Sequence, residues 1–345
     1  MNLDNKAKNS LFYQRVMPSL FLFIFLLLFF VIFRLSFYTF TQFNWGNSSD
    51  IAKIILRIIA LLLYALIGFW AFYELSDSFT KNKNSSLILS IFQLVPLFLG
   101  SNYLIDNEKR DVSLILNFVY SEWIFYVLII SNALIFVIIR LITVENINYQ
   151  NLIIRALVYL IFSFLIAMFL KIFVFLMKTH SGLSYIIILI AGSSAADIGG
   201  FVFGRKFGNK FFKNRLAPNI SPQKTWEGFI GGWIFSFLVI ITLVVLLNFT
   251  DQISQISGRN YFDILFTFPQ NSENWISIAK ASLILFTIAL PIIATIGDLS
   301  FSSIKRWNEI KDFSNILKGH GGLLDRLDSI IFVFVLFSLL TIIFK

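Results

Sequence analysis

Between Asp298 and Asp328 the chain reads DLSFSSIKRWNEIKDFSNILKGHGGLLDRLD. Asp298, Ser302, Lys305, Arg306, Lys311, Asp312, His320, Gly321, Gly322, Asp325, Arg326 and Asp328 all fall in this stretch, while the flanking sequence is nearly all hydrocarbon. Carboxylates and cations crowded together at the edge of apolar segments suit a site for phosphate and metal at a membrane surface. If the segment from Asp298 onward is helical, Asp298, Ser302 and Lys305 lie at i, i+4 and i+7 on one face. Asp325 and Asp328, at i and i+3, share a face at the opening of the last helix. The Gly319-His320-Gly321-Gly322 turn before them lets backbone approach a ligand. Three carboxylates with hydroxyls and water make a hard-oxygen site that suits Mg²⁺. The plainer reading is a set of surface ion pairs, such as Lys305 with Glu309. Such pairs need neither the glycine turn nor the Asp325/Asp328 spacing. His320 on its own reads more readily as a turn-capping residue than as a ligand or base.

Two upstream segments could join this site. Asp197 ends an apolar run just ahead of Gly199, Gly200, Gly204, Arg205, Lys206 and Gly208. An ionisable residue in or near a bilayer is costly and ordinarily faces a partner or a water-filled cavity. The glycines and the basic pair fit either an anion site or small-residue helix packing with snorkelling cations. Ser221-Pro222-Gln223-Lys224-Thr225-Trp226-Glu227-Gly228 reads as a turn leading to a helix start, with donors for phosphate oxygens. Ser221 or Thr225 would serve equally as a plain N-cap. No P-loop pattern occurs.

The elements that must position these residues are membrane helices. Of 345 residues, 57% are hydrophobic, 14% are charged and 42 are Phe. Apolar runs long enough to cross a hydrocarbon core of about 30 Å recur along the chain. They fall at 18–37, 51–72, 87–104, 123–142, 152–177, 183–203, 229–247, 276–296 and 329–344, giving an all-α, polytopic integral membrane protein with about nine spans. The first run lacks a small-residue cleavage pattern and is read as a span, not a signal peptide. Without cysteine there are no disulfides and no thiolate sites, and two His are too few for a histidine-rich metal centre.

Loop 204–228 carries Arg205, Lys206, Lys210, Lys213, Arg215 and Lys224, and loop 298–328 carries Lys305, Arg306, Lys311, Lys318 and Arg326. An even number of spans separates the two loops from each other and from Lys6, Lys8 and Arg15. The positive-inside rule then puts both loops and the N-terminus in the cytoplasm. The expected organisation is a variable set of N-terminal helices over 1–150 and a catalytic membrane domain over 151–345. The expected location is the plasma membrane, with the active site on its cytoplasmic side.

The pattern Ser302-x-Ile304-Lys305-Arg306-x4-Lys311-Asp312-x-Ser314-x2-Leu317-x-Gly319-His320-Gly321-Gly322-Leu323-x-Asp325-Arg326-Leu327-Asp328 resembles the signature of the phosphatidate cytidylyltransferases, also called CDP-diacylglycerol synthases. Asp197, Gly204-Arg205, Phe207-Gly208 and Ser221-Pro222-x-Lys224-Thr225-x-Glu227-Gly228 add to the resemblance in the family's order. It runs from about Leu183 to Asp328; the first 150 residues match only as generic membrane helices. Lys318 departs from the usual Pro or Gly, and Gly200-Phe201 from the common Ala-Tyr.

The resemblance implies that phosphatidic acid attacks the α-phosphorus of CTP, giving CDP-diacylglycerol and pyrophosphate. It implies Asp298, Asp325 and Asp328 as holders of Mg²⁺, with a second cation left open. Lys305, Arg306 and Arg326 would bind phosphates, and Ser221, Lys224 and Thr225 would contact those of the nucleotide. Asp197, Arg205, Ser302, His320, Gly321 and Gly322 complete the expected substrate-binding set. Asn at Asp325 or Asp328 is expected to abolish turnover without unfolding the chain. CTP, phosphatidic acid and membrane lipid are the expected partners. Nucleic acid is not among them, and a homodimer is compatible with a sequence that does not set oligomeric state. The rivals are an enzyme activating ether lipids with CTP, and a transporter with a carboxylate ion site. The transporter predicts carboxylates inside spans and an internal repeat, whereas here charges lie mainly at span ends and no repeat is evident.

Overall fold

In a bilayer every backbone N–H and C=O must find a partner within the protein, so long apolar runs fold as helices. The computed structural model describes residues 28–37, 49–99, 115, 119–144, 148–179, 182–254, 278–314, 316 and 321–341. The described helices are α1 (Leu28–Phe37), α2 (Ser49–Thr80), α3 (Lys83–Phe98), α4 (Trp123–Thr143), α5 (Tyr149–Lys178), α6 (Gly182–Phe207), α7 (Trp226–Ser254), α8 (Ile278–Trp307) and α9 (Leu324–Leu340). Among the described residues, six helical segments are long and apolar enough to cross a membrane: Ile54–Thr80, Trp123–Thr143, Tyr149–Lys178, Gly182–Phe207, Trp226–Leu247 and Ile284–Trp307. Within the same residues α1, α3 and α9 are shorter. The chain is thus an all-α, multi-pass membrane protein. Lys6, Lys8 and Arg15, on which the side of the N-terminus was argued, lie outside the described residues.

One element departs from the helical reading. Arg215–Ala217 (β1) and Ser221–Thr225 (β2) pair antiparallel, with Arg215 opposite Thr225 and Ala217 opposite Ser221. The expected Ser-Pro turn is therefore a strand. Pro222 is tolerated because a two-stranded ribbon has only edges, and the Arg215 guanidinium donates to the Pro222 carbonyl.

Two compact units are interleaved along the sequence. The first draws its described residues from Met1–Gly100, Trp123–Ala167 and Trp307–Leu327. The second draws on Ser101–Glu122, Met168–Arg306 and Asp328–Lys345. This division by compactness differs from the functional partition expected at 150/151.

In the first unit, lipid-side positions such as Leu62 stay exposed (64%), while polar side chains gather inside. Gln93 Nε2 on α3 donates to Asn132 Oδ1 on α4 (3.1 Å) and to Tyr159 OH on α5 (3.0 Å). Ser76 on α2 bonds the same Tyr159 hydroxyl at 3.0 Å. Where lipid tails are as apolar as leucine, such interhelical hydrogen bonds and close packing replace the hydrophobic effect as glue.

In the second unit, α6 and α7 cross on glycine. A Cβ at Gly228 would lie 2.7 Å from the Gly200 carbonyl and 3.0 Å from Gly204 Cα, and one at Gly232 would lie 2.9 Å from Gly200 N. Of the two readings left open for Gly200 and Gly204, helix packing is what their backbones do. Ser236 Oγ donates to Gly192 O at 2.7 Å along the same crossing. Lys171, buried on α5, pairs with Glu122 at 2.5 Å.

Candidate active site

Four elements of the second unit bring their charges to one place. Asp298 lies on α8, and its carboxylate is divided between two partners. Oδ1 accepts from Ser302 Oγ one turn on (3.2 Å), which realises the expected helical stripe. Oδ2 pairs with Lys224 Nζ at 2.5 Å. Lys224 comes from β2, so the ribbon that sequence reading missed is what carries the lysine to the acid.

Asp197, in the C-terminal half of α6, accepts from Ser329 Oγ through Oδ2 at 2.8 Å. Asp328 Oδ1 accepts from Ser329 N at 2.8 Å and lies 3.3 Å from the Ser329 hydroxyl, whose one proton faces the nearer Asp197, so one serine bridges two carboxylates. Asp328 stands just ahead of the apolar run of α9 and is only 9% exposed. Burial first, and then the charges of Asp298 and Asp197, hold its carboxyl well above the ordinary carboxylate range. The Ser329 amide and Lys305 pull the other way.

Beside these groups is a cleft of about 250 Å³, lined among others by Asp197, Ser221, Lys224, Thr225 and Asp298. Thr225 Oγ1 accepts from Gly228 N at 3.1 Å and caps α7, as one of the two sequence readings had it. An acceptor lone pair makes that cap, and the hydroxyl keeps a proton to donate. Ser302 is buried on α8. Arg306 is exposed and its Nε donates to Ile220 O at 3.3 Å, bracing the turn between the strands. Arg205 is exposed in the last turn of α6 and does not line the cleft.

The remaining expected site residues fall in the first unit, where their geometry is different. Asp325 Oδ2 accepts from Phe313 N (2.9 Å) and Gly322 N (2.8 Å), folding the loop ahead of α9. Gly321 adopts φ +77°, a conformation that favours glycine. Arg326 is exposed in the first turn of α9. His320 and Lys318 lie outside the described residues.

Sequence reasoning missed two residues. Ser329 was overlooked because a serine beside an aspartate carries no signal of its own. Glu74 had a signal: it is an acid at the end of an apolar helix, the kind of residue that ordinarily faces a partner.

The donor chemistry at the cleft fits Mg²⁺. Every ligand candidate is a hard oxygen, and Ser329 links the carboxylates of Asp197 and Asp328. Among the described residues no three of His, Cys, Asp and Glu stand close enough together to form a metal-binding group.

Fold and cleft together define a polytopic membrane protein with an acid-and-lysine site built from α6, β2, α8 and α9. The chain belongs to the Cytidylyltransferase family, whose profile matches residues 11–344. Among its relatives is the phosphatidate cytidylyltransferase of Staphylococcus haemolyticus, 37% identical over 171 residues, which are 49% of this chain and 54% of that protein. The proteins of the same name from Staphylococcus saprophyticus and Staphylococcus aureus are 36% and 34% identical, with the same coverage. The aligned part thus spans about half the length of the curated relatives it matches.

Proposed function

We propose that this protein transfers a cytidylyl group from CTP to phosphatidic acid, giving CDP-diacylglycerol and pyrophosphate, for phospholipid synthesis. The observation that carries the proposal is the Lys224–Asp298 pair in a cleft beside Asp197, in a member of the Cytidylyltransferase family. An oxygen of the phosphatidate monoester attacks the α-phosphorus, the bond to the α–β bridging oxygen breaks, and pyrophosphate leaves. The attacking phosphate is already ionised at neutral pH, so the scarcity of histidine is no obstacle.

The chain's part is to position and to balance charge. Lys224 and Lys305 hold phosphate oxygens, and Ser221 and Thr225 donate to the nucleotide's phosphates from the strand and the helix cap. Ser329 fixes the orientation of Asp197 and Asp328. Asp298 and Asp328 are the proposed holders of Mg²⁺, with Asp197 near them. When bound, the metal neutralises triphosphate charge and steadies the leaving group. Arg306 and Arg326, both exposed, draw anionic substrate toward the protein.

The basic residues of loop 204–228 support a cytoplasmic site in the plasma membrane, where phosphatidate headgroups lie within lateral reach. The test is release of pyrophosphate by purified protein given CTP, Mg²⁺ and phosphatidate, with diacyl and diether lipids compared. No release with either lipid overturns the reading, and a preference for the diether moves it to the ether-lipid rival.

A further inference from the structure

Glu74 is 1% exposed on α2, within the Ile54–Thr80 segment that is apolar enough to cross a membrane. Burying a carboxylate is costly unless its oxygens are hydrogen-bonded, and here four donors meet it. Oε1 accepts from Trp70 Nε1 (2.7 Å), Ser314 Oγ (2.6 Å) and Leu323 N (2.9 Å), and Oε2 from Leu324 N (2.8 Å). Three of these donors lie 240 or more residues away in sequence. The Leu323 and Leu324 amides are among those that no turn of α9 can satisfy. Glu74 therefore caps α9 from another helix, with its charge at the favourable end of the helix dipole.

The same carboxylate explains a glycine of the signature. A Cβ at Gly322 would stand 2.5 Å from both Glu74 oxygens. The glycine turn is thus gripped twice, by Asp325 at the Phe313 and Gly322 amides and by Glu74 at the next two.

We infer that Glu74 is a positioning residue for cytidylyl transfer. It fixes the Gly321–Gly322 turn and the first turn of α9, the helix that bears Asp325 and Asp328. The inference rests on the proposed activity. Glutamine at this position would present an NH₂ group to one of the amides that now meet oxygen, setting donor against donor.

The experiment uses the full chain in lipid nanodiscs, with hydrogen exchange at Leu323 and Leu324 and CTP-dependent pyrophosphate release read together. Glu74→Gln should speed exchange at the amide left facing the NH₂ group and lower kcat about tenfold or more, with KM for CTP changed by less than about twofold. Gly322→Ala should cost far more kcat in the native chain than in a Glu74→Ala background, because the two groups compete for one space. Independent, multiplicative losses overturn the inference. So does native-like exchange in Glu74→Gln, or a lowered melting temperature with the kcat of the folded protein intact. If the wild-type chain releases no pyrophosphate but exchange responds as expected, the activity falls and the anchored turn stands. If the wild type is active and exchange is unchanged, the positioning role alone falls.

Discussion

Asp298 and Glu74 are both carboxylates on membrane helices, and they spend their oxygens differently. Glu74 is buried and meets four donors, two of them backbone amides, so its oxygens are engaged in structure. Asp298 is shared between a serine and a lysine beside a cleft, and both of its partners are side chains. The contrast separates scaffold from chemistry better than residue type does. An acid whose lone pairs are filled by backbone N–H groups builds structure. One held by side chains next to a cavity is the better candidate for the proposed reaction.

The largest effect should come from the reactive side. Asp298→Asn is expected to cut turnover by about a thousandfold. It should leave the melting temperature within a few degrees of wild type, because a partly exposed ion pair contributes little stability. Asp328→Asn should behave alike in turnover. If either variant keeps near-normal Mg²⁺-dependent activity, the distinction between the two kinds of carboxylate has no chemical content.

Lys224→Met comes next. The lysine serves as Asp298's counter-ion and as a proposed phosphate donor, so its loss should cost about a hundredfold in kcat/KM. Measured pyrophosphate release that stays within twofold would return Lys224 to the status of a solvated charge.

Asp325→Asn tests the boundary between the two kinds of carboxylate. Both backbone donors go to the single oxygen Oδ2. A carbonyl oxygen can take its place, so the turn should survive and the loss should be near tenfold. That outcome would modify the sequence-based expectation that Asn at Asp325 or at Asp328 abolishes turnover. A loss equal to that of Asp298→Asn would put Asp325 back among the metal holders.

What the sequence disclosed follows from the range of the interactions. Six of the apolar runs and the Asp298–Ser302 stripe are local, and the described residues show them as helix. The β1–β2 ribbon was read as a turn because Ser221–Thr225 has neither an apolar face nor β-branched residues until Thr225 itself. The grip of Glu74 on Leu323 and Leu324 joins residues 249 and 250 apart in sequence, which no local pattern encodes. The reason for Gly322 was hidden with it, since the atoms it makes room for belong to another helix.

The finest test concerns Thr225, where the two categories meet in one side chain. Its oxygen accepts from Gly228 N as a cap, a scaffold task, while its proton can donate into the cleft that it lines. Thr225→Val keeps the shape and removes both functions. The lost cap should cost about 1 kcal/mol and lower the melting temperature by a few degrees. The lost donor should raise KM for CTP by roughly threefold to tenfold. Thr225→Ser, which retains acceptor and donor, should recover most of both. A valine variant that melts early yet binds CTP as the wild type does would assign Thr225 wholly to the scaffold. It would also leave the proposed phosphate contacts of the strand to Ser221 and Lys224.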